Sequence, residues 1–235
     1  MVRISMRSSL QNVLALGIAL CLGFTWACVR VDVSVTSQNA STHKRPLDDH
    51  WISIPDLKAL HKVRLGDKEC PSSSYRIIDQ EKQQTEFWCW AASTRMVMGH
   101  QNKEQNKETA IQCNIVTRII ETSQGRLNCC DPNVPSPCKQ GGWPHWVFNS
   151  YQFGFKMVPG VLDNWDAVTG EICSTGPFIS VIDWRGGGSH TLVITGYSND
   201  DKDAPKVITT YDPFTDDFQD LSFEEFVDGS DRFSH

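Results

Sequence analysis

The sequence predicts an α+β fold of two lobes, a helical one first and an antiparallel β one after it. Three observations predict it. Apolar residues recur at helical spacing up to about residue 155; beyond Gly176-Pro177 the chain turns to short runs of β-branched and aromatic residues; and 235 residues, 40% hydrophobic and 21% charged, suffice for a sizeable core. The same composition excludes a wholly disordered chain. A net charge of −6 excludes a general nucleic-acid binder, which needs a basic surplus to displace phosphate counterions.

Residues 1–27 read as a signal peptide. Arg3 and Arg7 precede an apolar run over 13–24 that is too short to span a membrane, and Thr25 and Ala27 are small residues suited to cleavage before Cys28. Thr25-Trp26-Ala27-Cys28 is also a degenerate lipobox. Lipid on Cys28 is therefore the one expected route to a membrane, and the expected location is the periplasm, the cell envelope or the medium. Residues 28–67 are expected to be a lead segment or tether, polar and aperiodic over 34–49. The globular domain is expected at 68–235, with a helical lobe over about 76–155 and a β lobe over about 156–235.

Within the first lobe, 89–99 and 107–121 read as helices. In the second of these, Ile111, Ile115, Ile119 and Val116, Ile120 repeat every four residues and share a face. Pro144 suits a first helical position and Gly154 a stop, which predicts a third helix over 144–153. A short helix over 164–174 opens the second lobe. Strands come next at 178–184, 190–197 and 207–211, the last two joined as a hairpin through the polar turn 198–206.

Export changes the meaning of nine cysteines. Cys21 lies in the signal and Cys28 at its end, leaving seven that cannot all pair. Outside the cytosol thiols become disulfides, so six of them are expected to form three crosslinks whose connectivity the sequence leaves open, save that Cys129 and Cys130 are adjacent and poorly placed to bond each other. Cys89 is the one expected to stay reduced. A zinc site using Cys129, Cys130, Cys138 and His145 is the competing reading, weakened by the absence of a Cys-x2-Cys pair.

Cys89 stands at the start of a helix in Gln83-Gln84-Thr85-Glu86-Phe87-Trp88-Cys89-Trp90-Ala91-Ala92-Ser93. The positive end of the helix dipole and unpaired backbone N–H groups stabilise a thiolate there, and the same donors, with an upstream glutamine, can hold an oxyanion. Gly186-Gly187-Gly188-Ser189-His190 delivers a histidine to the mouth of a strand. Tyr211-Asp212-Pro213 ends the next strand, and a hairpin brings the start of one strand beside the end of the other. His190 and Asp212 should therefore meet. His145 is the alternative base and Asp183 the alternative acid; His100, eleven residues along the helix and so roughly 16 Å from Cys89, is too far to touch it.

These three motifs, in this order, resemble the papain-like cysteine peptidases. The Gln-Gln-Thr lead into Trp-Cys-Trp-Ala-Ala, with Asp as third member, is closest to the bacterial C39-like and C70-like branches. The resemblance implies Cys89 as nucleophile, His190 as general base and acid, Asp212 as the residue orienting His190, and Gln83 as the oxyanion-hole glutamine, with Gln84 one register away. It also implies that Gly141 and Gly142 of Cys138-Lys139-Gln140-Gly141-Gly142, with Trp90, line a bound peptide. Glu86 stands where papain has a cysteine, so the crosslinks near the cleft must differ. The expected protein is an exported, monomeric cysteine peptidase acting on protein or peptide substrates through this triad and a thioester, with no cofactor, no metal and no nucleic-acid partner; the alternatives are another acyl transfer or amide hydrolysis on cell-wall peptides, or a non-catalytic envelope- or host-binding module on the same fold.

Overall fold

A strand covered on both faces reads as an unbroken apolar run, and the run from Thr191 to Tyr197 is the middle of the molecule. In the computed structural model, which describes residues 52–66, 68–104, 109–124, 127–160, 162–200, 203–229 and 233–234, this run is strand β3 (Ser189–Ser198). The expected signal, Cys28 and the part of the expected lead segment up to residue 51 lie outside the described residues. Along one edge of β3 runs β2 (Phe178–Trp184), followed further along by β1 (Ser73–Tyr75). On the other edge lie β4 (Val207–Asp212) and β5 (Asp217–Ser222), and β6 (Phe233–Ser234) pairs with the end of β2. Every pairing is antiparallel, in the order β5-β4-β3-β2-β6.

Alternate residues of this sheet enter two different cores. Ile179, Val181, Val193 and Tyr211 pack with Ala91, Ala92, Met96 and Val97 of helix α2 (Cys89–Glu104), with Ile115, Val116 and Ile120 of α3 (Gln112–Gln124), and with Val147 and Phe148 of α4 (Pro144–Ser150). Phe178, Ile194, Tyr197 and Ile208 pack on the opposite side with Val168 and Ile172 of α5 (Trp165–Ser174), Phe226 of α6 (Phe223–Asp228) and Leu57 of α1 (Ile54–Leu65). Ile194 and Tyr197 share a face although three residues apart, because the register of β3 on β4 slips between Ile194 and Gly196. At Gly196 a Cβ would lie 2.9 Å from the Tyr75 ring and 3.0 Å from Ser74 O, so only glycine lets β1 approach there.

The α+β fold is as expected, and the predicted helices and strands appear with boundaries moved by a few residues. Ile111 falls just outside α3 and is exposed, its carbonyl accepting the Ile115 N–H. α4 stops at Ser150 because Gln152 turns to φ 57°, before Gly154 is reached. The larger difference is α1. Residues 54–65 belonged to the expected tether, yet Ser53 caps a helix with Pro55 in its first turn, Gly66 at φ 61° ends it, and Leu57 is fully buried against the domain. His61, one turn after Leu57, carries a second buried contact: its Nε2 lies 2.9 Å from Glu171 Oε2 of α5, both side chains being almost fully buried.

The cysteine-rich loop is stapled by Cys113–Cys130 and Cys129–Cys138. Three of the four zinc-ligand candidates are therefore consumed by disulfides. Cys70 and Cys173, expected to form a third crosslink, carry free thiols that hydrogen-bond each other, so Cys89 is not alone in being reduced. Burial and the neighbouring Cys173 push the Cys70 thiol up to about 12.

Candidate active site

Cys89 is the first residue of α2, where the N–H groups of the opening turn have no partners within the helix. After Trp90 come the small residues Ala91, Ala92 and Ser93, and their size lets α2 lie directly on β3. One turn after Cys89, the hydroxyl of Ser93 sits 3.3 Å from Thr191 O and 3.1 Å from Thr191 Oγ1. Thr191 is the neighbour of His190, so this buried contact registers the helix bearing the thiol against the strand bearing the imidazole.

The hairpin of β3 and β4 brings His190 and Asp212 together. His190 Nε2 lies 2.6 Å from Asp212 Oδ1, with both side chains nearly buried. The turn after β4 folds back on the carboxylate, Phe214 N–H donating to Asp212 Oδ1 at 2.7 Å and Asp216, at φ 64°, donating its N–H to Asp212 O at 2.9 Å. The imidazole is also hydrogen-bonded to the Cys89 thiol.

The electrostatics follow from this packing. Burial opposes ionisation of Cys89, but the hydrogen bond and positive charge of His190, with help from Thr191, outweigh it and hold the thiol below its ordinary value. Burial likewise opposes charging of His190, and its hydrogen bonds to Asp212 and Cys89 overcome that and raise it to about 9. Asp212, disfavoured as an anion by burial, is held below its usual range by His190 and by the N–H groups of Phe214 and Thr215. Both shifts act towards a thiolate–imidazolium pair, the state from which a sulfur nucleophile attacks.

Gln83 is buried, and its backbone N–H donates to Pro213 O, the residue after Asp212, at 2.8 Å. Its Nε2 donates to Thr85 O at 2.7 Å, leaving the buried Oε1 without a hydrogen-bond partner. Gln84 is exposed and its N–H is taken by Gln112 Oε1, so of the two glutamines Gln83 is the one tied to the Asp212 turn. The stapled loop reaches the same place: Trp88 Nε1 donates to Cys138 O at 2.7 Å and Trp90 Nε1 to Gln140 O at 3.4 Å. Gly141 and Gly142 come directly after. A Cβ on Gly142 would lie 2.5 Å from the Trp90 ring, whereas one on Gly141 would meet nothing within 4 Å. Trp90 itself is 1% exposed, which corrects its expected role: it is the floor under Gly142 and is too buried to touch a substrate.

Residues 74–228 match the Peptidase_C39 like family over most of the described chain. The chain belongs to that family. Among solved structures, it is similar to proCathepsin B S9 from Trypanosoma congolense, at 12% identity and TM-score 0.46 over 72% of this chain and 78% of that one. Digestive procathepsin L 3 of Tenebrio molitor larval midgut gives 12% and 0.47 over 77% and 78%. Xylellain, a cysteine protease from Xylella fastidiosa, gives 10% and 0.46 over 76% and 87%. No curated protein matches the chain in sequence.

The two alternative site residues are engaged elsewhere. Asp183 accepts from Ser189 Oγ at 2.6 Å on the exposed β2–β3 hairpin, and the ring of His145 lies against Trp143 and Trp146. Two aromatic neighbours of His190 escaped the sequence reading: Trp184 stacks on the imidazole with centroids 5.5 Å apart and planes at 23°, and Phe214 meets it edge-on at 6.4 Å. The signal for Phe214 was available, two residues beyond Asp212. Trp184 would have required the length of the β2–β3 turn.

Proposed function

We propose that this member of the Peptidase_C39 like family is an exported cysteine peptidase that cleaves peptide bonds through Cys89, His190 and Asp212. One observation carries the reading: His190 is hydrogen-bonded both to the Cys89 thiol and to Asp212, 2.6 Å away. Cys89 Sγ attacks the scissile carbonyl while donors at the start of α2 and Gln83 Nε2, released from Thr85 O, take the negative oxygen. His190 gives its proton to the departing amine, leaving a thioester on Cys89. Water then attacks that thioester, His190 accepts its proton, and the acid product leaves as the thiol is restored. Asp212 holds the imidazole orientation and stabilises its cation.

The substrate class is protein or peptide, met by a chain acting as a monomer without cofactor, metal or nucleic acid. A depression of about 480 Å³ between Phe87, on the approach to Cys89, and Val134 and Lys139, on the approach to Gly141, is large enough for a substrate side chain. Export rests on the signal-like residues 1–27 and on the two disulfides, which persist in oxidising surroundings. Lipid on Cys28 remains the proposed membrane attachment; among the described residues no helix is long and apolar enough to cross a membrane. Cys89→Ala should abolish hydrolysis of a casein digest while leaving the fold intact by circular dichroism; undiminished hydrolysis overturns the assignment.

A further inference from the structure

Residues 81–88 lead into the helix of Cys89 without belonging to any helix or strand, so no regular ladder fixes the direction in which Gln83 points. Separate contacts hold the segment instead. Glu81 pairs with Arg95 of α2, and Gln83 N–H donates to Pro213 O at 2.8 Å. The two peptide groups on either side of Gln83 are both held by Gln112, the first residue of α3: its Nε2 donates to Lys82 O at 2.8 Å, and its Oε1 accepts from Gln84 N–H at 3.0 Å. Gln112 is fully buried, although Lys82 and Gln84 are exposed. Its amide imitates the edge of a neighbouring strand, meeting one acceptor and one donor of the chain across a single residue. The start of α3 is itself fastened, because Cys113 is crosslinked to Cys130, whose neighbour Cys129 is crosslinked to Cys138.

We infer that Gln112 is a positioning residue for the oxyanion hole: by holding both peptide groups that flank Gln83, it fixes the backbone from which the Gln83 amide reaches the negative oxygen. The inference rests on the proposed function. The Gln83 amide is held by its own bonds only through Nε2 and Thr85 O, its buried Oε1 having no hydrogen-bond partner, so the backbone carries the aim of the side chain. A small turn of that backbone is magnified at the end of so long a side chain, and catalysis by a misplaced donor falls steeply. A buried glutamine that merely satisfied two loop peptides would add stability and would not act through Gln83. The two roles therefore differ in whether the effect of Gln112 depends on Gln83 being present.

The test is a double-mutant cycle of Gln112→Met and Gln83→Ala, read as kcat and KM on a quenched fluorescent peptide, with Cys89 alkylation by iodoacetamide measured alongside. Methionine keeps the length of the side chain and removes both hydrogen bonds. Alkylation displaces iodide from a saturated carbon and forms no oxyanion, so it reports on the thiol apart from the oxyanion hole. Gln112→Met should lower kcat by roughly ten- to a hundredfold, with KM and the alkylation rate within about twofold of wild type. In the Gln83→Ala background the same substitution should lower kcat by less than about twofold, because the group it positions is gone. An unchanged kcat in Gln112→Met, a loss of the same size in both backgrounds, or an alkylation rate that falls together with kcat overturns the inference. If Gln83→Ala alone leaves kcat at the wild-type value, the oxyanion role in the proposed function fails, and the inference with it. Should Gln112→Met not fold, Gln112→Asn takes its place in the cycle, its amide too short to reach both peptide groups, and the same outcomes decide.

Discussion

Asp212→Asn keeps the shape of the side chain and a hydrogen-bond acceptor for His190 Nε2 while removing one charge. His190 is raised from an ordinary value of 6.5 to about 9, with the hydrogen bond to Asp212 the largest influence raising it and Cys89 the other partner. That rise is worth about 3.4 kcal/mol at 1.36 kcal/mol per pH unit. If Asp212 supplies half, its charge accounts for about 1.7 kcal/mol, or roughly 1.2 pH units and a factor of about twenty. A base held above its ordinary value loses its proton as pH rises, so removing the charge erodes the thiolate–imidazolium pair from the alkaline side. The assay is kcat/KM against pH, with Cys89 alkylation in parallel. The alkaline limb should fall from near 9 to roughly 7.8 while the acid limb moves little. An alkaline limb within about 0.3 pH units of wild type would show that Asp212 does not set the charge on His190, and the proposed division of roles would be wrong.

Gly142→Ala should cost roughly 1–3 kcal/mol of stability in a urea titration, because its Cβ would fall 2.5 Å from the Trp90 ring, while Gly141→Ala should leave stability unchanged. Gln83→Ala should lower kcat by about a hundredfold with little change in KM, and Gln84→Ala should do neither; equal effects would remove the distinction drawn from their burial. In a glutathione disulfide buffer the Cys70 and Cys173 thiols should exchange into a single crosslink, releasing two glutathiones. Among the seven cysteines that follow Cys28, thiol counting should then fall to one, Cys89, and a count of three would mean the pair stays apart.

The grouping of the three candidate site residues was legible because each is marked locally in sequence: a helix start for Cys89, a strand mouth for His190, and a strand end for Asp212, with a hairpin to join the last two. Strands β2, β3 and β4 were legible for the same reason, being short runs rich in β-branched and aromatic residues. Helix α1 was not, because its buried face is Leu57 and His61, and a histidine satisfied by Glu171 across 110 residues looks polar in any window. The two-residue strand β6 and the stacking of Trp184 are equally non-local. Trp90 was misjudged because a tryptophan beside a nucleophile gives no sign of which way its ring turns; the close approach of Gly142 decides that.

The contact between Ser93 and Thr191 joins residues 98 apart in sequence. Closing it costs the entropy of the intervening loop, so no local stretch of chain forms it alone. In the unfolded chain Cys89 has no imidazole held beside it. The Cys89–His190–Asp212 arrangement is therefore a property of the finished molecule: an unfolded chain carries all of its parts and none of its geometry.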